Sequence, residues 1–211
     1  FDNEDAESVY SFCDSYNNSW VITVTGKLFC SGYNAYGQLG LGHTNQQSNW
    51  IRSNTGSLAN KRVLFIQEGG GANSASTTYA LCDDGTVHMC GYDNSGASSG
   101  LGAGTNHTSW VENPNAGTTY NSDNQKVVAL YCPDAGSVAV ITDGGDSGVP
   151  KTYAWGTNYS GCCGIGTASQ VSTPTEIQID LDNDHDGTVV GNISGTMSSL
   201  SENHNTLGKK V

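Results

Sequence analysis

Asp182, Asp184 and Asp186 alternate along the run DNDHDG, which Gly187 closes and Val189 follows. That spacing matches positions 1, 3, 5, 6 and 8 of a calcium loop, where three carboxylates converge on one hard cation. Position 9 is Val190 and position 12 is Ile193, so the bidentate glutamate is missing. A solvated acidic turn is the competing reading, and Ca2+ is the one cofactor the residues suggest. GASSG at 96–100 has the spacing of a nucleophile elbow and would make Ser98 the nucleophile. An elbow needs a strand before it and a helix after it, and no helical periodicity follows, so the match is one of chance. The histidines (43, 88, 107, 185, 204) show no metal-ligand spacing, and no carboxylate pair stands in an acid–base frame. No catalytic residue is assigned, and an enzyme is not expected.

Other positions invite modification or stacking. Asn17, Asn106, Asn158 and Asn192 each begin an Asn-x-Ser/Thr sequon, although the richness of the chain in Asn, Ser and Thr gives such a number by chance. Trp50 and Trp110 precede Ile51 and Val111 in similar surroundings, where rings could stack on a sugar or, more in keeping with a repeated position, pack inside the protein. Seven cysteines (13, 30, 82, 90, 132, 162, 163), with no C-x-x-C pair, point to an oxidising compartment and disulfides. A Cys82–Cys90 bridge is excluded, because a hairpin turning at Asp83-Asp84-Gly85 would hold them about 13 Å apart.

The elements that must position these residues come from the composition and from a repeat. The chain has 211 residues, 28 of them Gly, only 13% charged, and no long window with apolar residues at helical spacing. This is the profile of an all-β chain with many tight turns. The net charge is −12, and the Lys and Arg residues are scattered, so a nucleic-acid surface is not expected. No apolar run reaches the ~20 residues of a membrane helix, and membrane insertion is not expected.

KLFCSGYNAYGQLGLG (27–42) recurs as TVHMCGYDNSGASSGLG (86–102) and as KTYAWGTNYSGCCGIG (151–166), with Gly32, Gly91 and Gly156 aligned. Two short strands precede each copy and one follows, which makes four strands per unit. The units are read as 1–60, 61–124, 125–186 and the start of a fourth at 187–211. Leu39 and Leu41, two apart, face one side toward a neighbouring unit, and Cys163 and Ile165 take their places in the third copy. Asn34, Asp93 and Asn158 each stand two residues after the strand-ending Gly, where an Asx turn caps the bend. The second copy has one extra residue and lacks the first Leu, so its junction is expected to be looser.

YALCDDGTVHMCGYDNSG, YAWGTNYSGCCGIG and above all YGQLGLG resemble the repeat family named for the regulator of chromosome condensation, over nearly the whole chain. The resemblance implies a β-propeller of four-stranded antiparallel blades, of which about three and a half are present. It also implies that Trp155 is a core residue. A ring cannot close with so few blades, so the open ends are expected to pair with the remaining blades of a longer chain, or with other subunits as a homo-oligomer or polymer. The function expected is therefore a non-catalytic structural or interaction protein, extracellular or at the cell surface. The alternatives are a regulator-type protein-binding propeller, including guanine-nucleotide exchange on a small GTPase, and a lectin or enzyme-inhibitor propeller.

Overall fold

The computed structural model describes residues 9–14, 17–69, 76–93, 97–101, 104–113, 124–134, 137–179 and 191–192. The calcium-type run at 182–187 and the side chain of Asn192 lie outside them. Twelve strands form three four-stranded antiparallel sheets, each built from neighbours in sequence. The first holds β1 (Val9–Asp14), β2 (Asn18–Thr23), β3 (Leu28–Gly32) and β4 (Gln47–Arg52). The second holds β5 (Val63–Gly69), β6 (Thr77–Cys82), β7 (Val87–Gly91) and β8 (His107–Glu112). The third holds β9 (Val127–Asp134), β10 (Ser137–Thr142), β11 (Thr152–Gly156) and β12 (Val171–Glu176). A short pair, β13 (Gln178–Ile179) with β14 (Gly191–Asn192), follows. The fold is thus all-β, an incomplete propeller of about three blades.

Packing between sheets explains the sequence pattern. An antiparallel sheet with one wet face alternates apolar and polar residues. Here β6 and β7 are buried at every position because blade 2 lies between blades 1 and 3. Strand β4, by contrast, is exposed along nearly its whole length. β5 packs on β1 and β2, and β9 on β5 and β6, so the first strands converge as blades do around a common axis. Two apolar clusters fill the junctions: one around Trp20, Leu39 and Trp110, the other around Tyr79, Leu130 and Trp155.

Each of the seven cysteines is a thiol and none is in a disulfide, which corrects the disulfide expectation. Five of the seven are buried. Cys30, Cys82 and Cys90 sit in the core as small apolar groups, and burial pushes the Cys30 and Cys82 thiols up to about 12. The backbone of Cys82 bonds with that of Thr86 across the turn, as the hairpin argument required.

Candidate protein-binding surface

Three long loops leave the blades at one end, after β3, β7 and β11, and each hangs on one side chain. The Asn34 carbonyl oxygen accepts from Leu39 N at 2.9 Å, while its amide donates to the carbonyls of His43 and Asn45. Asn158 repeats the arrangement: its oxygen accepts from Cys163 N at 2.8 Å, and its amide donates to Thr167 and Ser169. In the second blade the hub is Asp93, which accepts from Ser99 N at 3.1 Å but has no N–H to give. His107 replaces the missing donor, placing Nε2 at 3.1 Å from the second carboxylate oxygen. Burial raises the Asp93 pKa, but the bonds from His107 and Ser99 outweigh it and hold it below the usual carboxylate value.

These hubs decide how the sequons stand. Asn158 is 1% exposed and its amide nitrogen, the atom a glycan would occupy, serves the loop. Asn106 is exposed and its side-chain oxygen accepts from Asp93 N, and Asn17 is also exposed.

Charge is divided between the two ends of the blades. All the described Lys and Arg, at 27, 52, 61, 62, 126 and 151, lie at the end opposite the loops, in the β2–β3 and β10–β11 turns, at the end of β4 or in the links between blades. There they meet carboxylates, as in Lys61–Asp84 and Lys151–Glu176. The loop end carries Glu68 and Asp93 and, among the described residues, no Lys or Arg.

The first strands carry a further device. Register slips at the second residue of β1, β5 and β9, and in β5 and β9 these bulges turn two successive side chains the same way. Leu64 and Phe65 are therefore both exposed, and with Val128, Ala129, Leu81 and Leu130 they line an apolar cavity of about 320 Å³ where β5 meets β9.

No catalytic frame is assembled around Ser98. It is wholly buried between two strands, and its carbonyl accepts from Tyr79 Oη and Trp155 Nε1. A polar chain that the sequence did not reveal runs from Ser57 to Lys61. Thr86 donates its hydroxyl proton to Asp84 at 2.6 Å, so it can only accept from His88 Nε2–H, and His88 Nδ1 then accepts from the Ser57 hydroxyl at 2.7 Å. Burial, reinforced by Lys61, lowers the His88 pKa to about 4. A neutral, enclosed imidazole of that basicity is a structural strut rather than a general base at neutral pH. Asp84 anchors the chain; burial opposes its ionisation, but Lys61 and Thr86 bring its pKa to about 2. Among the described residues no three His, Cys, Asp or Glu gather as a metal site. No described helix is long and apolar enough to cross a membrane.

Comparison with known proteins agrees with this architecture. The family model of the regulator of chromosome condensation (RCC1) repeat matches residues 151–200. Among solved structures, Prp20p from Saccharomyces cerevisiae, described with its binding properties to Gsp1p and histones, superposes with a TM-score of 0.62 at 15% identity, over 96% of this chain and 48% of that one. Yeast RCC1 (Prp20) bound to Kap60 gives 0.60 at 13% identity, over 95% and 46%. Human WBSCR16 gives 0.53 at 19%, over 83% and 54%. The chain thus spans about half the length of these propellers. The expectation of an extracellular or cell-surface protein is corrected here. Histones, Gsp1p and Kap60 are partners met inside cells, and the disulfides on which that expectation rested are not formed.

Proposed function

We propose that this chain, a member of the RCC1-like β-propellers, is a non-catalytic protein-binding segment of the regulator type, which recognises its partner with the loop end of its blades. The observation that carries the reading is the set of three loops, each braced from within by a buried Asn or Asp hub just after the third strand of its blade. Loops braced in this way suit recognition, because less order remains to be imposed on binding. The net charge of −12, together with the lack of described Lys or Arg at the loop end, favours a partner with a basic surface. The match to a propeller described with Gsp1p and histones supports that class, and guanine-nucleotide exchange on a small GTPase is its specific form.

Biosensor binding of the chain to a Gsp1p-type small GTPase and to core histones, at low and raised salt, tests the proposal. Binding to either that weakens with salt and is lost in Asn34→Ala and Asn158→Ala supports it. Equal binding after both hubs are removed overturns it. Assembly through the faces of blades 1 and 3 that no described residue covers, with the remaining blades of a longer chain or with another subunit, is a second reading, favoured by the exposure of β4 and by an apolar cavity on blade 3.

A further inference from the structure

The end of blade 1 opposite the loops carries a reversed charge. The outer strands β4, β8 and β12 end on Arg52, Glu112 and Glu176, which the registers set against Phe29, His88 and Tyr153. The three residues are thus one position of the blade, and of the three blades only the first puts a cation there. In blade 3 the carboxylate at this position lies 3.6 Å from Lys151 Nζ. Lys27 precedes Phe29 by two residues as Lys151 precedes Tyr153, so blade 1 brings a guanidinium to the place where blade 3 brings a carboxylate. Glu112 is exposed although blade 1 packs on blade 2, so this position faces solvent with a neighbouring blade in place.

Two further cations meet Arg52. Lys27, Arg52, Asn54, Asn60 and Lys61 line a notch of about 10 Å³ between the β2–β3 turn, the end of β4 and the link to blade 2. That volume holds about one water-sized group, so it admits one oxygen of a ligand and leaves the rest in solvent. The walls are tied together by the backbone: Lys61 N–H donates to Leu58 O at 3.1 Å, and Val63 N–H to Gly26 O at 2.9 Å. Carboxylates reduce the positive charge from one side. Asp84 accepts from Lys61 Nζ at 2.5 Å, and Glu112 also acts on that ammonium. Arg52 is exposed and, unlike Lys61, Arg62 and Lys151, forms no ion pair among the described residues.

We propose that this notch binds a phosphate oxyanion, with the Arg52 fork donating to two of its oxygens and Lys27 and Lys61 adding charge. A guanidinium gives two parallel N–H bonds to such an anion, whereas an ammonium acts as a point charge. A tetrahedral phosphate keeps further oxygens outside the plane of that fork for the ammonium groups and for the amides of Asn54 and Asn60, which a flat carboxylate does not. The site lies at the end opposite the loops, so it stands or falls separately from the protein-binding surface.

Amide NMR of the 211-residue chain, titrated with inorganic phosphate against sodium chloride of equal ionic strength, tests it. The expected result is saturable shifts at Asn54 and Lys61, none at the Asn34 and Asp93 loops, and a Kd of about 1 mM. Arg52→Glu, which gives blade 1 the residue of the other two blades, is expected to weaken binding about tenfold or more. Arg52→Lys keeps the charge without the fork and is expected to fall between the two. Arg52 is exposed, and an unchanged spectrum away from the notch is the folding control. Shifts that chloride reproduces, that spread over both ends of the blades, or that survive Arg52→Glu undiminished overturn the site. A phosphoserine peptide, with its unphosphorylated form as blank, separates two sources of the same chemistry. Binding tighter than that of inorganic phosphate supports the site as one for a phosphorylated protein, and equal binding supports it as one for the free ion.

Discussion

The junction between blades 1 and 2 and the junction between blades 2 and 3 solve one packing problem with different residues. At the first, Leu39 and the outer-strand Trp110 fill the gap, with Trp110 edge-on to Trp20 at 6.1 Å between centroids. Gln38 adds a polar layer, its side-chain amide donating to Ser76 and its backbone carbonyl accepting from Thr78 and Cys90. Glu68 joins blade 2 to blade 1 by accepting from Asn18 and Trp20. At the second junction the loop is one residue longer, and Ser98 and Ser99 stand for Gln38 and Leu39. The indole there comes from the third strand, as Trp155, while Pro174 holds the place of Trp110. The second junction is not loose, contrary to the expectation from its missing Leu: residues 97–100 and Trp155 are all buried. What a propeller requires is a filled volume, and either neighbour can supply the ring.

The sharpest way to break the comparison is to place a side chain on equivalent glycines with and without a cover. Gly40→Val is expected to cost about 4 kcal/mol or more in urea unfolding, because it adds a collision with Trp110 to an unfavourable positive φ. Gly164→Ala, at the same φ of +63° but with open space, should cost only about 1 kcal/mol. Equal losses would mean that conformation alone, and not the cover, fixes these glycines.

Trp110→Ala follows in size, at about 3–5 kcal/mol, against less than about 0.5 kcal/mol for Trp50→Ala in dilute solution. Comparable values for the two would deny that burial distinguishes these register-equivalent rings.

Acid should separate the junctions next. His88 ties the Gly56–Leu58 turn, and so the blade 1–2 link, to blade 2, whereas Tyr153 occupies its register position in blade 3. Its folded pKa of about 4 lies below the ordinary 6.5. The stability it contributes is therefore present above pH 6.5 and lost as pH falls toward 4, by roughly 2–3 kcal/mol. Hydrogen exchange at pH 7 and pH 5 should show β5 and the 56–58 turn loosening before β10 and β11. A uniform loss would assign acid sensitivity elsewhere.

The smallest contrast concerns polar groups at equivalent loop positions. Gln38→Ala strands Tyr36 N–H, takes one donor from Ser76 Oγ and should cost about 1–3 kcal/mol. Ser98→Ala removes a buried hydroxyl that has no hydrogen-bond partner and should be neutral or slightly stabilising in the same urea experiment.

Much of this was legible in the chain. The recurrence of Gly-x-Asn/Asp and the glycine spacing after it identified the blades and the hubs, because a positive φ and an Asx bond are local demands. What escaped depends on residues far apart in sequence. Trp50 and Trp110 look alike locally, and only the presence of a blade on one side buries one of them. The Asp93–His107 substitution and the Ser57–His88 strut join residues 14 and 31 apart. Cysteine count misled about compartment because a buried thiol packs like any small apolar side chain.

The central claim is that each blade is held by its neighbours, and native-state hydrogen exchange of the whole chain tests it most directly. Strands β6 and β7, covered on both faces, should exchange only through global unfolding, while β4 should exchange orders of magnitude faster through local opening. Protection of β4 equal to that of β6 would contradict the account.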